Sequence, residues 1–150
     1  MGYYVQCNSY KFRIKAGQDK AIMDALRELN THDELKRGGS YGGGKEVKWF
    51  SWLNDFDWSQ NDVKAFLEAV GFMVGVDADG DITRLDYDSK TGQEELFFTV
   101  IAPFIESGSE IEWSGEDGEQ WRWIFENGKM YQQTQERMWN DNKYEVDPPY

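Results

Sequence analysis

Apolar residues recur along this chain with two different periods, and each change of period marks a change of element. Between Glu110 and Met138 apolar and polar residues alternate, and turn pairs at Asp117-Gly118 and Asn127-Gly128 divide the stretch into three antiparallel strands. A two-residue turn at Asn127-Gly128 sets Glu126 opposite Lys129, Phe125 opposite Met130 and Ile124 opposite Tyr131. At the first turn, a two-residue loop would oppose Glu116 to Glu119 and split Trp113 from Trp121 across the sheet. A three-residue loop, Glu116-Asp117-Gly118, instead pairs Trp113 with Trp121, Glu112 with Arg122 and Ile111 with Trp123. Aromatic and opposite-charge cross-strand pairs each contribute roughly 0.2–1 kcal/mol, so the three-residue loop is expected.

Upstream, residues 3–14 read as a strand whose parity switches near Asn8-Ser9: Tyr3, Val5 and Cys7 share one face, Tyr10, Phe12 and Ile14 the other. Ile22, Ala25, Leu26 and Leu29 have helical spacing within Gln18–Asn30. Thr31 to Glu34 matches a capping box opening a short helical turn. A glycine-rich loop, GGSYGGGK, then leads into a strand from Val47 to Leu53. Ser59 and Asp62 suit the start of a second helix bearing Val63, Phe66, Leu67 and Val70, with Gly71 just past its end. A hairpin turning at Asp79-Gly80 pairs Val76 with Thr83, Val74 with Leu85 and Phe72 with Tyr87. A third helix follows from a capping box at Thr91–Glu94, runs through Leu96, Phe97, Val100 and Ile101, and meets Pro103.

The order β-α-β-α-β-β-α-β-β-β predicts a single α+β domain over residues 1–138, a mainly antiparallel sheet with about three helices packed chiefly on one face. Residues 139–150 read as a polar, proline-ended tail that is frayed or laid on the surface. The expected core comprises Ile22, Leu26, Leu29, Phe66, Leu67, Val70, Val74, Leu85, Leu96, Val100, Trp113, Trp121, Trp123 and Phe125.

Charge changes the picture more than composition does. The net charge of −12 is unevenly spread: residues 1–48 hold nine Lys/Arg against six Asp/Glu, whereas residues 49–150 hold seven against twenty-two. So acidic a majority of the chain argues against direct nucleic-acid binding and favours a basic protein partner, a solubilising charge being the plain alternative. The start MGYYVQCNSYKF has no signal-peptide shape, and no run is long enough to span a membrane. The lone Cys7 rules out an internal disulfide framework and a cysteine-rich zinc site, leaving the cytoplasm as the default compartment.

Candidate chemistry is sparse. The run Gly39 to Lys45 approaches a phosphate-binding loop, but Glu46 stands where a magnesium-binding hydroxyl is needed and a strand follows in place of a helix. Lys36, Arg37, Tyr41, Gly43, Lys45 and Lys48 are therefore candidates for binding a small anionic metabolite or nucleotide on a mobile loop. Asp77, Asp79 and Asp81 are spaced like calcium ligands, yet Ile82 occupies the position requiring glycine, and a hairpin tip rich in turn-forming acids explains the same letters. Asp55, Phe56, Asp57 and Trp58 form an acidic aromatic loop that is either core-facing or an interface. His32 and Cys7 are the only histidine and cysteine, and 28 acids always offer some carboxylate pair for hydrolysis, so neither makes a convincing active site. No motif calls for a cofactor.

The segments MGYYV, KRGGSYGGG and WSGEDGEQWRWIFENGK resemble small proteins of bacteria and their phages that carry no assigned activity. The resemblance extends over most of the chain and implies a role in phage–host or toxin–antitoxin conflict, with no catalytic residue carried over. Three functions follow as expectations. They are a non-enzymatic acidic binding protein of the immunity or anti-defence type, a small-ligand binder using the glycine-rich stretch, and a carboxylate-based hydrolase.

Overall fold

The structure, a computed structural model, describes residues 2–135 and 142–150. The expected end of the meander at Met138 and the boundary between domain and tail lie outside those residues. The described elements run β1 (Tyr4–Ser9), α1 (Asp19–Leu29), β2 (Gly38–Gly42), β3 (Lys45–Trp49), α2 (Val63–Val70), β4 (Met73–Val76), β5 (Ile82–Lys90), α3 (Glu94–Ile101), β6 (Glu110–Gly115), β7 (Gln120–Glu126), β8 (Lys129–Thr134) and β9 (Tyr144–Val146). Short 3-10 turns at Asp33–Leu35 and Ala102–Phe104 follow α1 and α3. The class is α+β, as the order of elements predicts. Among the described residues no helix is long and apolar enough to cross a membrane.

The meander forms as its side chains require. Trp113 opposes Trp121, Glu112 opposes Arg122 and Ile111 opposes Trp123, while Phe125 opposes Met130 across the second turn. Gly118 takes φ 88°, and Asn127 and Gly128 take 52° and 80°, the positive values that a bulged loop and a two-residue hairpin turn need. The rings of Trp113 and Trp121 stack at 6.4 Å with planes 12° apart. Behind them, Arg122 is closer to Glu110, at 3.2 Å, than to its cross-strand neighbour Glu112, at 3.9 Å.

One seven-stranded antiparallel sheet runs β4-β5-β1-β6-β7-β8-β9. The first strand lies inside it, between β5 and β6. Both neighbours are antiparallel to β1 and so parallel to one another, which demands a crossover connection; α3 supplies it. Along β1, Val5, Cys7 and Ser9 are buried while Tyr4, Gln6 and Asn8 are exposed, so here one face of the sheet is covered and the other bare. The parity switch falls at a bend over Tyr10-Lys11, after which Phe12 and Ile14 return to the core. The buried sides of the helices, among them Ile22, Leu26, Phe66, Leu67 and Phe97, meet Val5, Leu85, Trp123 and Phe125 in one core. Trp113 is enclosed by Phe72, Tyr87, Trp121 and Trp123, and its indole N–H finds no hydrogen-bond partner among the described residues.

Several local expectations are corrected. The glycine-rich stretch is not a loop but the hairpin β2–β3, and the strand expected over 47–53 ends at Trp49, with Phe50 fully buried beyond it. Thr31 does not cap the next turn: its hydroxyl donates back to the Glu28 carbonyl at 2.7 Å, completing the end of α1. Val74 faces Leu85 as expected, but a bulge between Gly75 and Val76 moves Val76 opposite Ile82 in place of Thr83. Within α3, Leu96 and Val100 are half-buried, and Phe98 takes the central place, 5.6 Å from Trp123 and 5.5 Å from Phe72. The polar tail lies on the surface as an edge strand, with Val146 opposite Met130. Strands β2 and β9 are thus additions to the expected order.

Candidate functional site

The hairpin β2–β3 is a two-stranded arm separate from the main sheet. Gly43 and Gly44, at φ 60° and 78°, make its turn, which explains why so much glycine is compatible with a strand pair. The arm is rooted by one buried amide. Gln93 Oε1 accepts from the Arg37 and Ser51 N–H groups, both at 3.1 Å, and its Nε2 donates to the Leu35 carbonyl at 2.5 Å. The N-terminal end of α3 thereby holds both the incoming and the outgoing strand of the arm.

The cationic residues expected to gather on this stretch are dispersed. The Lys36 side chain is only 6% exposed: its ammonium donates to Asp33 at 2.7 Å and lies over the Phe50 ring at 5.6 Å. That hydrogen bond, with the charge of Lys36 behind it, holds the Asp33 carboxyl below its ordinary range. Arg37 is engaged through its backbone, and Lys48 sits 3.6 Å from Glu46. Lys45 opposes Gly42 whereas Lys48 opposes Gly39, so the two lysines point to opposite faces of the arm. Tyr41 is 76% exposed near the tip, beside Gly43 in the turn.

The loop Asp55–Trp58 is drawn onto the core. Phe56 and Trp58 meet edge to face at 5.2 Å, and both pack on Phe66 of α2, at 5.4 and 5.7 Å. Arg27 fastens the loop by donating to the carbonyls of Trp58 and Gln60. Asp57 accepts from the Ser59 hydroxyl and N–H, which keep its carboxyl below the usual range, and Asp55 takes the Asn54 amide at 3.4 Å.

At the β4–β5 turn the acids act on the turn itself. Asp77 Oδ1 accepts the N–H groups of Asp79 and Asp81 at 3.0 Å each, and Arg13 reaches across to Asp77 at 3.1 Å and Asp81 at 2.6 Å. Desolvation raises the Asp77 carboxyl, but the bonds from Asp81, Arg13 and Asp79 outweigh it and leave the group below its ordinary range. Among the described residues no group of three or more His, Cys, Asp or Glu is placed to hold a metal ion. Cys7 and His32 have unrelated surroundings. Cys7 is buried in the sheet, its thiol pushed up by that burial, whereas His32 stacks on Tyr150 at 4.0 Å and bonds Glu34 at 3.0 Å.

The site that sequence reasoning missed is the bare face of the sheet. A groove of about 550 Å³ crosses it between β4 and β7, lined by Gln6, Asn8, Asp86, Asp88, Glu112 and Gln120 among others, and among the described residues by no lysine or arginine. The register sets Asp88, Gln6, Ser114 and Gln120 side by side on four successive strands. With strands about 4.8 Å apart, that row of carboxylate, amides and hydroxyl spans about 14 Å. The adjoining row sets Met73, Asp86 and Asn8 in line. Asp88 is met by the Gln6 amide at a long 3.4 Å, and Asp86 by Arg84 at 2.8 Å from outside the groove. Alternation within each strand marks these residues as outward-facing, but only the insertion of β1 between β5 and β6 brings them together.

The chain matches no family model, no curated protein and no solved structure.

Proposed function

We propose that the protein is a non-enzymatic binding protein that takes a basic segment of a protein partner on the bare face of its sheet, as an inhibitor of the immunity or anti-defence type would. One observation carries this reading: the groove over β5, β1 and β6 presents Asp86, Asp88 and Glu112 among amides, with no basic side chain among the described residues of its lining. Carboxylates on an open, hydrated surface attract a cationic partner and orient it, while amides and a serine hydroxyl offer donors and acceptors to its backbone. The excess of acid over residues 49–150 extends the same field beyond the groove and speeds encounter with a basic target.

A nine-residue oligoarginine peptide is the test probe, followed by fluorescence anisotropy at low and high salt. Binding should weaken steeply with salt, and the triple variant Asp86→Asn, Asp88→Asn, Glu112→Gln should bind about tenfold more weakly or worse. A second triple variant, Asp55→Asn, Glu68→Gln, Asp79→Asn, removes the same charge away from the groove and should retain nearly all affinity. Equal losses in the two triples would reduce the effect to net charge and defeat the proposal.

A further inference from the structure

A second cavity lies between α1, α3, β8 and the C-terminal residues. It has a volume of about 500 Å³, within the roughly 300–1,000 Å³ of small-molecule sites. Its apolar walls are Val100 and Pro103 from the α3 side, Met130 from β8, and Val146 and Pro148 from the tail. The tail is pinned at both ends of its crossing. Strand β9 is hydrogen-bonded to β8, and the Tyr150 ring stacks on His32 with planes 6° apart.

The polar groups at this cavity are mainly carboxylates: Glu28 on α1, and Glu145 and Asp147 on the tail. Its one cation among the described residues, Lys129, is already paired with Glu145 at 2.8 Å. Glu145 and Asp147 also hydrogen-bond to each other, which raises the Asp147 carboxyl, because two neighbouring carboxylates do not both ionise freely. An apolar chamber with a surplus of carboxylate at its lip is complementary to one kind of ligand.

We propose that this cavity binds a small organic cation, an ammonium group on an apolar body. The body rests against Val100, Pro103, Met130 and Val146 while the ammonium sits among Glu28, Glu145 and Asp147. The site shares no lining residue with the sheet-face groove, so each stands or falls alone.

The probes are 2-phenylethylamine, its neutral analogue 2-phenylethanol and the anionic 3-phenylpropanoate, each titrated into the full chain. The amine should raise the melting temperature with concentration and shift the methyl resonances of Val100 and Met130, because a ligand bound only by the folded state stabilises it. The alcohol and the acid should do neither at equal concentration. The exposed double variant Glu145→Gln, Asp147→Asn should weaken amine binding about tenfold, a loss typical of a removed charge partner. Val100→Trp, which fills the chamber, should abolish binding, and the double variant covers the case in which that substitution disturbs folding. Equal stabilisation by alcohol and amine, amine binding unchanged in the double variant, or no saturable shift up to the amine's solubility would each overturn the proposal.

Discussion

Replacing Gln93 with methionine isolates what holds the β2–β3 arm to the body. Methionine keeps the length and volume of the side chain but offers the backbone neither a strong acceptor nor a donor. The substitution strands the N–H groups of Arg37 and Ser51 and the carbonyl of Leu35, at a position where Gln93 itself is 5% exposed. A buried polar group left without its partner costs about 1–3 kcal/mol. Arg37 is exposed and Ser51 half-buried, so water recovers part of that, and a net loss of about 2–4 kcal/mol is expected. Against a total stability of about 5–15 kcal/mol, equilibrium urea unfolding resolves such a change easily. Hydrogen exchange supplies the local readout: amides of residues 38–49 should lose more protection than those of β1 and β7, because an isolated two-stranded hairpin is marginal in water. A loss below about 0.5 kcal/mol with unchanged exchange over 38–49 would refute the clamp, since surface substitutions alone do that much.

Two further outcomes are expected. A methyl group at Gly38 would lie 2.1 Å from Nε1 and 2.3 Å from Cδ1 of Trp49, so Gly38→Ala should displace the indole and cost about 1–3 kcal/mol, read as a shift in tryptophan emission with lower urea tolerance. Tyr87, buried and near Glu94, has its phenol raised to about 12 while its hydroxyl donates to the Lys90 carbonyl at 2.6 Å. The folded state thus keeps a proton that the unfolded state releases from about pH 10, so stability falls as pH rises from about 10 to about 12. Tyr87→Phe should flatten that decline, and an unchanged alkaline slope would show that other groups set it.

The meander was legible because its information is local. Trp113, Trp121 and Trp123 are placed by turn length and two-residue alternation, both of which lie within a short stretch of chain. The helices α1 and α2 were legible for the same reason, their apolar spacing and the Asp62 cap being properties of consecutive residues. Glycine hid the arm: a run of Gly reads as a loop because it carries no side-chain alternation, although Gly43-Gly44 is good hairpin chemistry. The tail was opaque in a similar way, since Tyr144–Val146 acquires strand geometry from the unpaired edge of β8 more than from its own composition.

By itself, then, the sequence determined the three helices, most strands of the main sheet, the register of the meander, and the surplus of acid on this protein. Only the tertiary structure decided that β1 enters between β5 and β6, which aligns Asp88 and Gln6 with Ser114 and Gln120 on a bare face. It also decided that Phe56 and Trp58 fold onto Phe66, that Asp77 and Asp81 hold Arg13, and that Tyr150 returns to His32. The physical reason is common to all of these. Each juxtaposition joins residues of different elements, and what selects it is the packing of the whole fold, a property of no single segment.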